Sequence, residues 1–365
     1  MKKKLSIVFA LTFSICTFSQ SIYLTKRNYS SSPTILSLQK INQSSGNVID
    51  NFNFTTTFTN SFGNNVKDLT FNSQTNEIFG MAGNTIVKYN ITTGAESSFN
   101  LPIVQYVDYR DLIIAENKLY VTKRDYSSLN VSTYIHSLQE LNQTNGNVIS
   151  NYNFTTSFPS SYSPESLTFN VITKEIFGIS GNIIVKYNIQ TGIESGFTLP
   201  VVQFTDYNDL IIGNNRLFIT KRDYTNSSNY IHSLQEINQT NGNLINNYNF
   251  TTTYPNSYSP KSLNYDKITN EIWGISGNIL TKYNINSGIE NSIVLPIATS
   301  NDYGEIVSIN SEDTLSLSEY NIDNYKSKAV KAYNLLGQEI SIETYNQIII
   351  VKFENGKSKK IYNQK

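Results

Sequence analysis

The chain is poor in the residues that most often carry covalent or metal chemistry. Its 365 residues include one cysteine, Cys16, and two histidines, His136 and His232. A single cysteine cannot form an intramolecular disulfide or a cysteine-rich metal site. A serine or cysteine nucleophile would also have to find its base in one of only two histidines. Triad chemistry and zinc sites built on cysteine are therefore not expected.

The first twenty residues have the pattern of a secretory signal peptide. Lys2, Lys3 and Lys4 precede an apolar run from Leu5 to Phe18, which is shorter than the roughly 20 residues of a membrane-spanning helix. We expect residues 1–20 to be removed and the mature chain to have no transmembrane segment. Three lysines are then lost while all 28 acidic residues stay, so the net charge becomes about −3. Nucleic acid is an unfavourable partner for such a chain.

What the chain does have in quantity is tyrosine and other residues that favour strands. Aromatic residues make up 12% of the sequence, with 25 tyrosines, and charged residues only 15%. β-Branched and aromatic side chains pack well on a pleated surface. The composition predicts an all-β protein.

One unit of about 97 residues occurs three times. The tripeptide TKR begins at Thr25, Thr122 and Thr220, and EIFG, EIFG and EIWG begin at Glu77, Glu175 and Glu271. The segments NFNFTTTF, NYNFTTSF and NYNFTTTY lie between these motifs. Identity of this kind within one chain indicates duplication and a shared local structure. We divide the repeats at about 21–110, 111–208 and 209–310.

Each unit contains two related halves, and each half has a glycine turn between strand-like runs. The six turn glycines are Gly46, Gly94, Gly146, Gly192, Gly242 and Gly288. A period near fifty residues with four short strands is typical of propeller blades. Residues 21–310 are therefore predicted to form a six-bladed β-propeller, with a linear solenoid as the alternative.

The two ends of the repeat array complement each other. The first unit begins directly with SIYLTKRNY, which matches a second strand, whereas DYGEIVSIN at 302–310 matches the first strands DYRDLII and DYNDLII. We predict that this last strand completes the first blade and closes the ring. Closure removes sheet edges that otherwise promote aggregation.

The second half of each unit resembles known blade types. The runs IVKYNIQTG and LTFNVITKEIFGISG are similar to blades of NHL, YVTN and PQQ-type propellers, in which a strand precedes a Thr-Gly turn. This resemblance implies a propeller fold. It implies no particular activity, since no enzyme signature of those families accompanies it.

The tail, residues 311–365, departs from the repeat and resembles a sorting domain. The segments AYNLLGQEI from Ala332 and IIIVKFENGKSKK from Ile348 are similar to the C-terminal sorting domain of cargo proteins of the Bacteroidetes type IX secretion system, of type A. The resemblance implies a small β-sandwich, the secretion machinery as partner, and a location outside the cell or on the outer-membrane surface. A small accessory β-domain is the alternative.

Candidate ligand-binding residues recur at one edge of the odd-numbered blades. Each TKR motif and each Asp-Tyr pair entering the same blade should meet, which predicts the pairs Asp302 with Arg27, Asp108 with Arg124 and Asp206 with Arg222. We interpret them either as structural salt bridges or as part of a ring that recognises a polar ligand such as a glycan. The tyrosines assigned to this ring are Tyr29, Tyr109, Tyr126, Tyr207, Tyr224 and Tyr303.

Three further carboxylates, Asp111, Asp209 and Glu305, lie at the start of the predicted innermost strands. Pointing into a channel, they would suit a hard cation or acid/base hydrolysis, or they would be hydrated or bonded to backbone amides. We predict no metal and no cofactor. His136 and His232 stand where the first unit has Leu36, so we expect them to be packed rather than reactive.

These observations lead to one functional expectation and two alternatives. We expect a secreted or surface-bound binding propeller that recognises a glycan or a protein and has no catalytic activity. A polysaccharide hydrolase or lyase using the channel carboxylates is the first alternative, and a structural protein of surface adhesion is the second. Fold alone does not choose among them.

Overall fold

The computed structural model describes residues 21–31, 34–58, 66–128, 134–158, 163–226, 230–254, 259–296, 300–309, 329–334, 338–341, 347–353 and 358–363. The predicted signal peptide, residues 1–20, and the start of the tail, residues 311–328, lie outside this range. Every described element is a β-strand, as the composition predicts. No helix in the described range is long and apolar enough to cross a membrane.

We number the sheets of the repeat region 1 to 6 in chain order. The odd-numbered sheets each contain four antiparallel strands. Sheet 1 consists of β1 (Ser21–Asn28), β2 (Ile35–Ile41), β3 (Val48–Asn53) and, from the far end of the repeat, β24 (Asn301–Ile309). Sheet 3 consists of β8 (Val107–Ala115), β9 (Lys118–Asp125), β10 (Ile135–Leu141) and β11 (Val148–Asn153). Sheet 5 consists of β16 (Thr205–Gly213), β17 (Arg216–Asp223), β18 (Ile231–Ile237) and β19 (Leu244–Asn249).

The even-numbered sheets have the same order with shorter inner strands. Sheet 2 consists of β4 (Lys67–Asn72), β5 (Glu77–Ala82), β6 (Thr85–Asn90) and β7 (Glu96–Asn100). Sheet 4 consists of β12 (Glu165–Asn170), β13 (Glu175–Ser180), β14 (Ile183–Asn188) and β15 (Glu194–Thr198). Sheet 6 consists of β20 (Lys261–Asp266), β21 (Glu271–Ser276), β22 (Ile279–Asn284) and β23 (Glu290–Val294).

The middle strands are apolar on both faces because each sheet packs between two others. In β5, Ile78 belongs to the core between sheets 1 and 2, whereas the next residue, Phe79, belongs to the core between sheets 2 and 3. Ile272 and Trp273 divide in the same way in β21. Successive side chains of a strand point to opposite faces, so the unbroken apolar runs of the sequence fill two cores at once.

The apolar cores join the sheets into a ring. Five cores lie between sheets that follow one another in the chain, and a further core joins sheet 6 to sheet 1 through Trp273, Leu280, Ile22 and Leu24. The innermost strands contact each other in the cyclic order β24, β4, β8, β12, β16, β20 and back to β24. Radial four-stranded antiparallel sheets around a common axis are the architecture of a β-propeller.

The strand β24 completes sheet 1, as the matching ends of the repeat predict. It pairs antiparallel with β1, from Ser21 opposite Ile309 to Asn28 opposite Asn301. The first and last strands of the repeat region are therefore hydrogen-bonded neighbours. The repeat boundaries that we placed at 110/111 and 208/209 fall inside β8 and β16, so the sequence repeat and the sheets are out of phase.

The six turn glycines all adopt left-handed backbone conformations, with φ between 70° and 74°. At the first of them, the Gly46 N–H donates to the carbonyl of Asn42 at 2.8 Å. A Cβ atom on Gly46 would lie 2.6 Å from Ile293 Cγ2 of sheet 6. This glycine is thus required both by its φ and by the close packing of sheet 1 on sheet 6.

The tail forms a separate four-stranded antiparallel sheet, in the order β26-β25-β27-β28. Its strands are β25 (Ala329–Tyr333), β26 (Glu339–Ile340), β27 (Gln347–Phe353) and β28 (Ser358–Asn363). The described residues of the tail form this one sheet, whereas the predicted β-sandwich requires two. The assignment of this segment as a sorting domain stays a prediction.

Candidate functional site

The odd sheets extend beyond the even sheets at one end of the propeller. The inner strand β8 has nine residues and β4 has six, and the Ile114 N–H donates to Thr70 Oγ1 at 3.1 Å, which sets their relative level. Lys67, at the start of β4, is then level with Asp111. The four residues of β8 before Asp111 therefore project by about 13 Å, at about 3.3 Å per residue.

The predicted Asp–Arg pairs are formed at this projecting edge. Arg27 Nε donates to Asp302 Oδ1 at 3.1 Å, Arg124 Nε to Asp108 Oδ1 at 3.1 Å, and Arg222 Nε to Asp206 Oδ1 at 3.2 Å. In each pair Nη2 also contacts the second carboxylate oxygen. The partners lie directly opposite each other on adjacent strands. All three are bidentate and partly exposed, so they fix the edge of each odd sheet.

The arginines also carry aromatic rings. Tyr126 lies 4.7 Å from the Arg124 guanidinium carbon and Tyr134 lies 5.9 Å from it. Arg222 has the equivalent neighbours Tyr224 and Tyr230, at 5.2 and 5.9 Å. Arg27 has Tyr29 at 5.6 Å, and its second position is Thr34. Stacking on a paired guanidinium holds these rings in place.

Tyr106 and Phe204 extend the clusters, and the sequence did not single them out. Tyr106 meets Tyr126 edge-on at 5.8 Å, and Phe204 meets Tyr224 at 6.0 Å. They are 48% and 47% exposed. Sheet 1 has Ser300 at this position. We call the groups Arg124, Tyr106, Tyr126, Tyr134 and Arg222, Phe204, Tyr224, Tyr230 the aromatic clamps of sheets 3 and 5.

The tyrosines of the Asp-Tyr pairs have a different environment from the one predicted for them. The hydroxyl groups of Tyr109 and Tyr207 donate to the carbonyls of Pro102 and Pro200 at 3.3 and 3.2 Å, and Tyr303 contacts the carbonyl of Pro296. Each ring packs against an apolar core between sheets. Burial raises the pKa of all three. Their contacts fix the loops that enter the odd sheets.

Aliphatic side chains stand exposed in the same loops. Ile103 is 69% exposed and Val201 80%, and Val104 and Val202 follow them in the sequence with about half of their surface exposed. These residues lie two and three positions before Tyr106 and Phe204 in the sequence. Each complete clamp therefore continues into a short apolar segment at the projecting end.

The histidines are packed, as predicted. His136 Nδ1 lies 3.0 Å from Ser163 Oγ, and its ring meets Phe158 edge-on at 5.1 Å. His232 has the equivalent contacts with Ser259 and Tyr254. Burial, with the nearby arginine second, lowers the pKa of both histidines. They are neutral packing residues beneath the Asp–Arg pairs.

The TTTF motifs of the repeat form a clasp between neighbouring sheets. Glu96 of β7 accepts hydrogen bonds from the backbone N–H groups of Thr55 and Thr56, each at 2.8 Å, and from both hydroxyl groups. Glu194 and Glu290 make the same four bonds with Thr155–Thr156 and Thr251–Thr252. Every unit of the sequence contains this Glu and this Thr-Thr pair. Sequence analysis did not connect them, because they are about 40 residues apart.

A cavity of about 570 Å³ lies on the propeller axis and is lined by all six inner strands. Asp111 and Asp209 line it as predicted, but their oxygens are occupied. Asp111 accepts from the N–H groups of Leu112 and Leu167 at 2.6 and 2.7 Å. Asp209 accepts from Leu210 and Leu263 at 2.7 and 3.0 Å. Each carboxylate thus bonds its own inner strand to the next one in the ring.

The third predicted carboxylate, Glu305, has a different partner. Its Oε1 lies 4.0 Å from Lys261 Nζ.

Burial raises the pKa of Asp111 to about 8 and that of Asp209 to about 7, against the opposing effect of the amide bonds. Within the described ranges, no three acidic or histidine side chains are placed to share a metal ion.

The likeness of this chain to solved structures is one of overall fold alone. No family model and no curated relative matches the sequence. A protein of unknown function from Bacteroides caccae superposes with a TM-score of 0.53 at 10% identity, covering 80% of this chain and 99% of that one. The β-propeller domain of Cps50 (Swd1) from Myceliophteria thermophila gives 0.44 at 8% identity, covering 72% and 82%. BamB from Moraxella catarrhalis gives 0.38 at 13%, covering 89% and 93%.

The clasps predict a specific loss of stability in acid. Burial by itself raises the pKa of Glu96 and Glu194, and the hydrogen bonds outweigh it, so the pKa of both lies below its ordinary value. A lowered folded-state pKa means that the stabilisation is present above the unfolded-state pKa of about 4.3 and is lost as the pH falls through the folded value. Replacing Glu96, Glu194 and Glu290 with Gln should cost about 1–2 kcal/mol per clasp at pH 7.

Urea unfolding at pH 7, 5 and 3.5 measures this effect. The triple Gln variant should lose less stability between pH 5 and 3.5 than the wild type. The matched control replaces Glu77, Glu175 and Glu271 with Gln, which are carboxylates of the same even sheets outside the clasps. Equal acid sensitivity of the wild type and the clasp variant would contradict the assignment.

Proposed function

We propose that this chain is an exported six-bladed β-propeller that binds its ligand through the aromatic clamps and has no catalytic activity. The observation that carries the proposal is the pair of clamps on sheets 3 and 5. In each clamp a half-exposed ring, Tyr106 or Phe204, contacts a tyrosine that stacks on an ion-paired arginine. Rings already held in place lose little conformational freedom when a ligand stacks on them. The projecting edge presents them beyond the even sheets.

A glycan is the ligand that we favour. The C–H faces of a sugar ring stack on tyrosine, and its hydroxyl groups bond to carboxylates and amides. Asp125 and Asp223, at the ends of β9 and β17, directly precede Tyr126 and Tyr224 in the chain. The clamps thus combine stacking surfaces with acceptors.

A protein ligand is the second candidate, because of one observation. The aliphatic side chains of Ile103, Val104, Val201 and Val202 continue the aromatic surface. Protein interfaces are enriched in Tyr, Phe and Arg around an apolar centre. A sugar makes fewer favourable contacts with an exposed valine than an apolar protein side chain does.

The absence of catalysis is proposed from the way the channel carboxylates are bonded. In Asp111 and in Asp209, each carboxylate oxygen accepts a hydrogen bond from a backbone N–H group. A general acid or base must be free to exchange a proton with substrate. These contacts favour a binding protein over the hydrolase or lyase alternative, and a purely structural role in adhesion would leave the clamps without use.

Export is proposed from the two ends of the chain. Residues 1–20 are assigned as the signal peptide and residues 311–365 as a type IX sorting domain, with the secretion machinery as its partner. The four-stranded sheet of the tail, with its own strand order, is compatible with a separate module. The protein would then reach the outer-membrane surface or the medium.

The clamp proposal is tested on a glycan array with the mature protein. A variant with Tyr126→Ala and Tyr224→Ala should bind its array ligands at least tenfold more weakly, because the stacking ring of each clamp is lost. The matched control changes Thr34 and Ser300 to Ala, the sheet 1 positions that lack rings, and should bind like the wild type. The emission of Trp273, the one tryptophan, verifies folding.

The outcomes separate the candidates. Array binding that survives loss of both tyrosines would overturn the clamp assignment. If no array glycan binds the wild type, the glycan proposal is wrong and the protein candidate replaces it. A variant with Val201→Ser and Ile103→Ser should keep glycan binding, since sugars would not depend on these side chains.

The export proposal is tested in a Bacteroidetes host with a type IX secretion system. Deleting residues 311–365 should leave the propeller in the periplasm, whereas the full chain should appear on the cell surface or in the medium. Immunoblots of the fractions, with a periplasmic marker as control, measure this. Surface delivery of the truncated chain would contradict the sorting role.

A further inference from the structure

The cavity on the propeller axis has the size of a small-molecule site. Its volume of about 570 Å³ falls within the roughly 300–1,000 Å³ of typical ligand pockets. It lies below the mouth formed by the projecting odd sheets, and it is separate from the aromatic clamps.

The three copies of the repeat differ from one another in the lining of this cavity. Asp68 of sheet 2 stands where sheets 4 and 6 have Ser166 and Ser262. Glu165 stands where the other even sheets have Lys67 and Lys261, and Arg110 where the other odd sheets have Asn208 and Gly304. The backbone keeps its approximate three-fold symmetry, and the cavity does not. An asymmetric lining suits an asymmetric ligand.

Asp68 lies at a bulge of β4 with a left-handed backbone conformation, which sets the direction of its side chain. The residue has φ 57°, and Ser166 and Ser262 have 57° and 54°. All three lie at register shifts of their inner strands, and such bulges redirect side chains. Ser166 Oγ donates to the Asn208 carbonyl at 3.4 Å and Ser262 Oγ to the Ile306 carbonyl at 3.2 Å. An ionised aspartate has no proton to donate to a neighbouring carbonyl.

One oxygen of the Asp68 carboxylate is buried without a hydrogen-bond partner. Its Oδ2 has no accessible surface and no hydrogen-bond partner. A buried polar atom without a partner is costly, and an unpaired charge more so. Burial, followed by the charges of Asp111 and Glu305, raises the pKa of Asp68 well above its ordinary value, and Lys67 opposes the effect.

The cationic side chains of the cavity mouth already have acidic neighbours. Arg110 Nη2 lies 3.3 Å from Asp108 Oδ2, and Lys261 Nζ lies 4.0 Å from Glu305 Oε1. Arg110, Lys67 and Lys261 all stabilise the charge of Glu165. Together with Asp68, Asp111 and Asp209, the acidic groups outnumber the three cations. Burial raises the pKa of Asp68, Asp111 and Asp209, and a cation bound beside them favours their ionised forms.

We propose that the cavity binds a small organic cation through a primary ammonium group paired with Asp68. An ammonium carries three donors on one compact charge, so one can meet the part of the Asp68 carboxylate that lines the cavity while the others reach carbonyl or hydroxyl oxygens of the inner strands. A metal ion fits less well, because within the described residues no three acidic or histidine groups are placed to share one.

Putrescine, a linear diamine, is the probe, and titration calorimetry on the mature full chain is the measurement. The wild type should bind one putrescine per chain, and 1,4-butanediol, its neutral analogue, should not bind. Asp68→Ser installs the residue of the other two copies, so it should fold, and Asp68→Asn keeps the shape without the charge. Both should weaken putrescine binding at least tenfold.

The control is Asp50→Ser, which removes an exposed acid of the outer strand β3 and should leave binding unchanged. The proposal is overturned if the wild type does not bind putrescine, which would mean that Asp68 is simply protonated there. It is equally overturned if Asp68→Ser binds as tightly as the wild type. Either result leaves the clamp proposal untouched, because the clamps are tested with different variants and ligands.

Discussion

The whole structure depends on each sheet having an apolar neighbour on both sides. The middle strands expose apolar side chains alternately to the two faces, as Ile78 and Phe79 do in β5. A linear stack would leave two such faces in water, and burying apolar surface is the main stabilising contribution to folding. Pairing of β24 with β1 and the core between sheets 6 and 1 solve this problem. Closure is therefore the condition for the cavity, which all six inner strands line.

Duplication of a two-sheet unit explains where the polar chemistry lies. Even sheets have short inner strands and supply the clasp glutamates, whereas odd sheets have long inner strands and carry the Asp–Arg pairs. Three copies of one arrangement maintain the ring, and the copies then differ where a ligand would be met. Sheet 1 lacks the second and third rings of a clamp, with Thr34 and Ser300 in their place. Asp68 stands where the other even sheets have serine.

The sequence predicted the strands, the closing strand and the three Asp–Arg pairs because identical motifs recur at a fixed period. It did not predict that Asp111 and Asp209 bond backbone amides of the next inner strand, since that contact depends on a register between sheets 56 and 54 residues apart. Tyr106 and Phe204 were missed because the three copies of the repeat have different residues at this loop position, Tyr106, Phe204 and Ser300. No repeated motif therefore marks it. Asp68 was missed because its left-handed backbone and its unpartnered oxygen exist only in the folded ring.

Closure of the ring can be measured with a single disulfide. Residues 21–365 contain no cysteine, and Asn28 and Asn301 are Cα partners in the β1–β24 pairing, within the separation that a disulfide spans. A variant with Cys at both positions should oxidise within one chain, and the product should migrate faster on a non-reducing gel and unfold at higher urea than its reduced form. Two thiols that stay free under oxidation, or that link only different molecules, would contradict a propeller closed by its last strand.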